Sequence, residues 1–249
     1  MWKRIFILLT VFILTICCFA DEPRTRTKFE SKNGNSSIIY RNGKWILGDV
    51  TSLEKYKIDD EGFKSMTIFV SNNGQNIVVI DDFMEGHKIG NRNTIWFYNN
   101  GKLVKSYRMN ELVSDTCNIS KSIWHNEWCL ENFDIIDNES HFTLSTYEMT
   151  DFIFDLTTGE VITKKKPDGF DSESLIVFGE FRKGKEEQVT MKIKRYISGK
   201  VQQENILNFK TTHYGAGLWH EVLVIKNGVD ITPDKYRCKI YLNTCDNEK

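Results

Sequence analysis

Along most of the chain, short apolar runs alternate with turns that carry glycine. Asn42-Gly43 separates Ser37-Ile38-Ile39-Tyr40 from Trp45-Ile46-Leu47, and Asn73-Gly74 separates residues 66–70 from Ile77-Val78-Val79-Ile80. Asn100-Gly101 separates residues 94–98 from residues 103–107, and Thr158-Gly159, Ser198-Gly199 and Asn227-Gly228 repeat the event further on. Asn-Gly between β-rich runs signals a hairpin, because a type I′ turn needs positive φ at both central positions. The spacing predicts an all-β fold of antiparallel hairpins, meandering rather than βαβ. Val189, Met191 and Ile193 alternate with Thr190, Lys192 and Lys194, the period of a strand with one buried and one wet face. Ile77 to Ile80 is apolar without interruption, which predicts a central strand covered on both faces. Only residues 109–113, and residues 52–56, leave room for a turn or two of helix.

Composition sharpens the class. The 249 residues are 40% hydrophobic and 27% charged with 3 prolines, which excludes a disordered or collagenous chain. Alanine stands only at Ala20 and Ala216 while β-branched and aromatic residues abound, so a helix bundle is excluded too. A formal net charge of −1 gives no basis for a nucleic-acid protein built on a basic surface.

The first residues set an expected compartment. Lys3 and Arg4 precede an apolar stretch over residues 5–16, and Cys18 and Ala20 occupy the −3 and −1 places of a small-x-small cleavage site. This predicts a signal peptide over residues 1–20 and an exported product, periplasmic, cell-surface or secreted, beginning at Asp21. The stretch is shorter than the roughly 20 apolar residues of a membrane-spanning helix. Lipoprotein processing at Cys17 or Cys18 is the alternative, although Ile16 is bulky where lipoprotein signals carry a small residue. Export in turn makes disulfides the expectation for Cys117, Cys129, Cys238 and Cys245. Four cysteines allow three connectivities, and short loops favour Cys117–Cys129 and Cys238–Cys245. The first bridge would contribute on the order of 2–3 kcal/mol in the chain-entropy model. Free thiols are the alternative, and neither pair has the C-x2-C spacing of a zinc site.

A polar stretch, Lys164-Lys165-Lys166-Pro167-Asp168-Gly169, divides a domain over residues 21–166 from a smaller β-sandwich-like one over residues 171–249. Within the first, Phe69-Val70-Ser71-Asn72-Asn73-Gly74 leading into Ile77 to Ile80, Trp96-Phe97-Tyr98-Asn99-Asn100-Gly101-Lys102, and Phe154-Asp155-Leu156-Thr157-Thr158-Gly159 stand together. This segment resembles the β-propeller-like repeats of uncharacterised exported bacterial proteins. The resemblance implies a fold and no particular activity. At roughly 40–45 residues per blade the first domain supplies three blades at most, so a partial stack or a sandwich is expected rather than a closed ring. The second domain, through Ser198-Gly199-Lys200-Val201, Leu223-Val224-Ile225-Lys226-Asn227-Gly228 and Lys235-Tyr236-Arg237-Cys238, is weakly similar to transthyretin-like or immunoglobulin-like β-sandwich modules.

Candidate chemistry is sparse. His213, His220 and Glu221 flank a glycine-rich bend and supply general-base or metal-ligating groups, but adjacent residues of a strand point to opposite faces. His125 and Glu127, two apart, share a strand face in the manner of a metal-binding pair, with Trp124, Asn126 and Trp128 on the other. Packed aromatic core is the competing account of both segments. The acidic runs at Asp81-Asp82 and Asp59-Asp60-Glu61 lack the 1-3-5 alternation of a calcium loop. Lys164 to Lys166 form a basic patch that either guards an edge strand or meets an anionic glycan or lipid headgroup. No Walker loop, G-x-S-x-G elbow or dinucleotide fingerprint is present, and no cofactor is implied. The expected function is therefore non-enzymatic binding of a protein or glycan in the cell envelope. The alternative is a metal-dependent or general-base hydrolase centred on His213, His220 and Glu221.

Overall fold

The computed structural model describes residues 25–49, 56–58, 61–85, 92–114, 119–121, 125–130, 132–136, 138–166, 175–183, 188–197, 200–210, 218–236 and 239–240. They are almost entirely β. The first four strands, β1 (Lys28–Glu30), β2 (Ser36–Arg41), β3 (Lys44–Asp49) and β4 (Tyr56–Ile58), pair in sequence order as an antiparallel sheet. The second sheet joins β5 (Thr67–Val70), β6 (Asn76–Ile80), β8 (Asn93–Asn99) and β9 (Lys102–Arg108), interrupted by a short β7 (Met84–Glu85). After one helical turn, α1 (Met109–Leu112), come β10 (Ser120–Lys121) and β11 (His125–Glu127), which pair with β7 as a small three-stranded sheet. The third four-stranded sheet is β12 (Asp134–Ile136), β13 (His141–Ser145), β14 (Asp151–Asp155) and β15 (Val161–Lys165). The sequence pattern predicts antiparallel hairpins in a partial stack or a sandwich; the structure has three four-stranded antiparallel sheets that stack as blades in a partial, propeller-like arrangement.

The period of two along the middle sheet makes the stack. Ile68, Val70, Ile77, Val79 and Tyr98 face the first sheet and pack on Phe29, Ile38, Trp45 and Leu47. Val78, Ile80, Ile95 and Phe97 face the third sheet and pack on Phe142, Leu144, Phe152 and Phe154. All four residues Ile77 to Ile80 are fully buried, so β6 is covered on both faces, and its lack of polar alternation follows. The small sheet closes one end of the second core with Met84, Ile119 and Trp128, and α1 adds Met109 and Leu112.

The hairpins obey their turn chemistry. Asn42-Gly43, Asn100-Gly101 and Asn227-Gly228 have positive φ at both residues. At Asn73-Gly74 and Thr158-Gly159 only the glycine does, because these are longer loops closed by a side chain. Ser198-Gly199 lies outside the described residues, but β17 (Gln188–Ile197) and β18 (Lys200–Lys210) pair as a hairpin around it, Ile197 opposite Lys200.

The remaining strands belong to a further sheet. β16 (Leu175–Lys183) pairs with β17 on one side and, over eight residues from Leu175–Ile225 to Arg182–Leu218, with β19 (Leu218–Lys226) on the other. β20 (Val229–Asp230) and β21 (Lys239–Ile240) complete it beside β19, and β20 also meets β18 in parallel at Lys210 and Val229. The buried Tyr236 joins this part to the third blade by donating a short hydrogen bond to Asp151 Oδ1, which also accepts from Ser145 Oγ.

Candidate functional site

The site begins with a repeated turn. In Ser31-Lys32-Asn33-Gly34-Asn35-Ser36, Asn33 Oδ1 accepts from Ser31 Oγ at 3.0 Å and from the Asn35 N–H at 2.9 Å. Ser31 Oγ in turn accepts from the Ser36 N–H at 3.0 Å. The same network recurs at Ser71-Asn72-Asn73-Gly74-Gln75-Asn76, with distances of 2.7, 2.9 and 2.9 Å. Small side chains that mimic a backbone turn hold both hairpins in one shape. A third turn, at Asn138 and Glu139, takes positive φ at both residues and sits at the same end of the third blade.

These turns bond to one another. The Asn33 N–H donates to Asn72 Oδ1 at 2.9 Å, Ser36 Oγ donates to the Asn72 carbonyl at 3.0 Å, and the Asn72 N–H donates to Glu139 Oε1 at 2.5 Å. Lys32 Nζ reaches Asp134 Oδ2 at 3.1 Å, from the first blade to the third. A cation of the first blade thus touches an anion of the third, at the end of the stack where β1, β5 and β12 line one cleft. Each is also an edge strand of its sheet.

The convergence leaves a cleft of about 670 Å³, with Phe69, Val70, Ile135 and Ile136 as apolar wall and Glu30, Lys32, Asn72, Asp134 and Glu139 as polar rim. The wall is held from behind, since Phe69 lies 5.4 Å from Phe133 and 5.3 Å from Phe142, ring centre to ring centre. Its carboxylates are already engaged: Glu30 with Lys28, Asp134 with Lys32, and Glu139 with the Asn72 amide. An apolar floor with a few oriented polar groups is a form that ligand pockets commonly take.

The second polar cluster is on the small sheet. His125 is buried, its ring stacked on Phe83 at 3.6 Å, with Nε2 3.1 Å from Glu127 Oε1. Tyr147 donates to the other oxygen, Glu127 Oε2, at 3.0 Å. His125 and Glu127 thus meet on one strand face, as their spacing predicts. Tyr147 was not foreseeable from spacing, because it arrives from the loop between β13 and β14. Trp128 is core, its indole N–H donating to the Asp81 carbonyl at 2.7 Å. Among the described residues no group of three or more His, Cys, Asp and Glu side chains is arranged to hold a metal ion.

The other sequence candidates fall elsewhere. His213 lies outside the described residues. His220 and Glu221 are neighbours in β19, opposite Glu180 and Gly179 of β16 and opposite Ile240 and Lys239 of β21. Cys129 is buried in the second core, while Cys117, Cys238 and Cys245 lie outside the described residues. None of the cleft's residues was a sequence candidate. The signal that marks them is the recurrence of Ser-x-Asn-Gly at Ser31 and Ser71, of which only the second copy is flanked by apolar runs long enough to stand out.

No protein-family model matches the chain, and no curated protein does either. Among solved structures, the chain is similar to a eukaryotic initiation factor (TM-score 0.39, 10% identity, covering 87% of this chain and 45% of that one). It is also similar to BamB from Moraxella catarrhalis (TM-score 0.33, 11% identity, 86% and 59%) and to the C-terminal WD40 domain of Sif2 (TM-score 0.31, 9% identity, 83% and 59%). The chain spans about half the length of these structures, from 45% to 59%.

Proposed function

We propose that the chain is an exported, non-enzymatic binding module of the cell envelope, and that it holds a protein or glycan partner in the cleft between β1, β5 and β12. One observation carries this reading. Three consecutive blades are clasped rim to rim by Asn72 so that a shaped apolar wall and fixed polar groups stand open together. Fixed groups of this kind lower the ordering cost of binding. The carboxylates at the rim are held in fixed positions by Lys28, Lys32 and the Asn72 amide.

Two measurements test it. Export is checked by sequencing the N-terminus of the accumulated protein, with Asp21 expected as the first residue. A product still starting at Met1 would reject it. Binding is checked by placing a photo-crosslinking residue at Lys32, on the rim, or at Arg41, away from it, in the producing cell. A discrete adduct from position 32 and none from 41 is expected. Absence of any adduct from position 32, or the same adduct from both, would sink the cleft as the binding site.

A further inference from the structure

Six large hydrophobic side chains are exposed among the described residues, and four of them, Leu103, Val104, Val161 and Ile162, lie on two strands, β9 and β15. Each strand is the outer edge of its blade. The two edges are joined: Tyr107 Oη donates to the Gly159 carbonyl at 2.8 Å, and Lys105 Nζ reaches Glu160 Oε1 at 3.0 Å. The exposed aliphatic side chains therefore stand on two neighbouring edges: Leu103 is opposite Tyr98, on the side of the first sheet, and Val161 is opposite Phe154, on the side of the second. Exposed basic residues bracket them, Lys102 and Arg108 at the ends of β9 and Lys164 and Lys165 at the end of β15. Glu160 is held by Lys105 and Glu111 by the Arg108 amide, while Asp151 stands opposite Lys165 and the Lys164 ammonium lies 5.3 Å from the centre of the Phe152 ring.

We propose that these two edges dock the protein on an anionic lipid bilayer. Lysine on an edge strand has an ordinary explanation, since it discourages pairing with another chain. Leu103, Val104, Val161 and Ile162 contradict that explanation, because exposed aliphatic residues on an edge invite the pairing that lysine prevents. Aliphatic side chains ringed by cations instead match an interface where apolar groups enter the headgroup region and basic groups meet anionic lipid. The charge is local, since the whole chain carries −1. Charge complementarity thus favours a negative surface over a second copy of the chain. The proposal is independent of the cleft.

The test is co-sedimentation of the purified protein with vesicles of phosphatidylcholine alone or with one part in four phosphatidylglycerol. Binding to the anionic vesicles is expected, with loss at high salt and little binding to the neutral ones. Lys164→Glu with Lys165→Glu should weaken binding by about fivefold for each positive charge removed. Leu103→Ser with Ile162→Ser should weaken it without altering charge. Arg41→Glu, on the distant hairpin, should leave it unchanged. All variants are purified as the same exported product, so the differences report these edges alone, and matching urea midpoints show that each folds. Equal binding to both vesicle types, binding to neither, or equal loss in Arg41→Glu overturns the proposal. So does a dimer in sedimentation velocity that Leu103→Ser with Ile162→Ser disperses while vesicles stay unbound.

Discussion

Asp155 organises the turn between β14 and β15 by itself. Its Oδ1 accepts from the amides of Thr157 and Thr158 at 2.9 and 2.7 Å and from the Thr158 hydroxyl at 3.0 Å. The Thr158 amide is foremost in holding the carboxyl below its ordinary value of 3.8. A depressed carboxylate contributes stability that is present above 3.8 and is lost as pH falls through the lower, folded-state value. The expected outcome is that urea midpoints fall as pH is lowered below about 4, and that Asp155→Asn is less stable at neutral pH but shows a shallower acid decline. Gly159, four positions on, serves a different end. Its φ is +74°, and a Cβ there would stand 2.6 Å from Lys105 Cβ and 2.9 Å from Phe97 Cβ. Gly159→Ala should cost roughly 2–4 kcal/mol in urea unfolding, combining backbone strain with overpacking. The sequence announces a turn at Thr158-Gly159, but not the close approach, because Phe97 and Lys105 come from another blade. The same limit applies at Glu127, where the near partner His125 follows from spacing and the far partner Tyr147 does not.

Turns show the division at the scale of elements. Where Asn-Gly stands alone between two strands, as at Asn42, Asn100 and Asn227, local sequence dictates the hairpin and can be read directly. Where serine precedes it by two residues, the loop is longer and its closure depends on a buried hydroxyl. Ser71 Oγ is the acceptor for the Asn76 amide, and Ser31 Oγ for the Ser36 amide. Ser71→Ala and Ser31→Ala should each cost about 1–3 kcal/mol, the penalty for a buried donor left without its partner. Chemical denaturation checks this, and a loss below a few tenths of a kcal/mol in both would show that the hydroxyls do not close the turns. What the pattern of single turns could not convey is that these loops bond to one another. Asn72 looks like any exposed loop residue in the sequence, yet it links all three blades. The cleft was illegible for this reason: it is a property of how repeats register, not of any one repeat.

For the whole molecule, β6 is decisive. Ile77 packs toward the first blade and Ile80 toward the third, and both are fully buried. Ile77→Val and Ile80→Val should each cost about 0.5–1.5 kcal/mol. Their effects should add in the double variant to within about 0.5 kcal/mol, because each cavity opens into a separate core. A coupling energy above about 1 kcal/mol from a double-mutant cycle would mean that the two cores relax together. The continuous apolar run made this strand's double cover readable, because no solvent face is needed where both sides are packed.

The same double cover bears on how the chain is made. During synthesis the first two sheets leave the ribosome well before Phe142, Phe152 and Phe154, so one face of β6 and β8 stays wet until the third blade has emerged. The nascent polypeptide passes through a stage with a broad, sticky flank, and holding it back from self-association falls to the folding machinery until residue 156 is free.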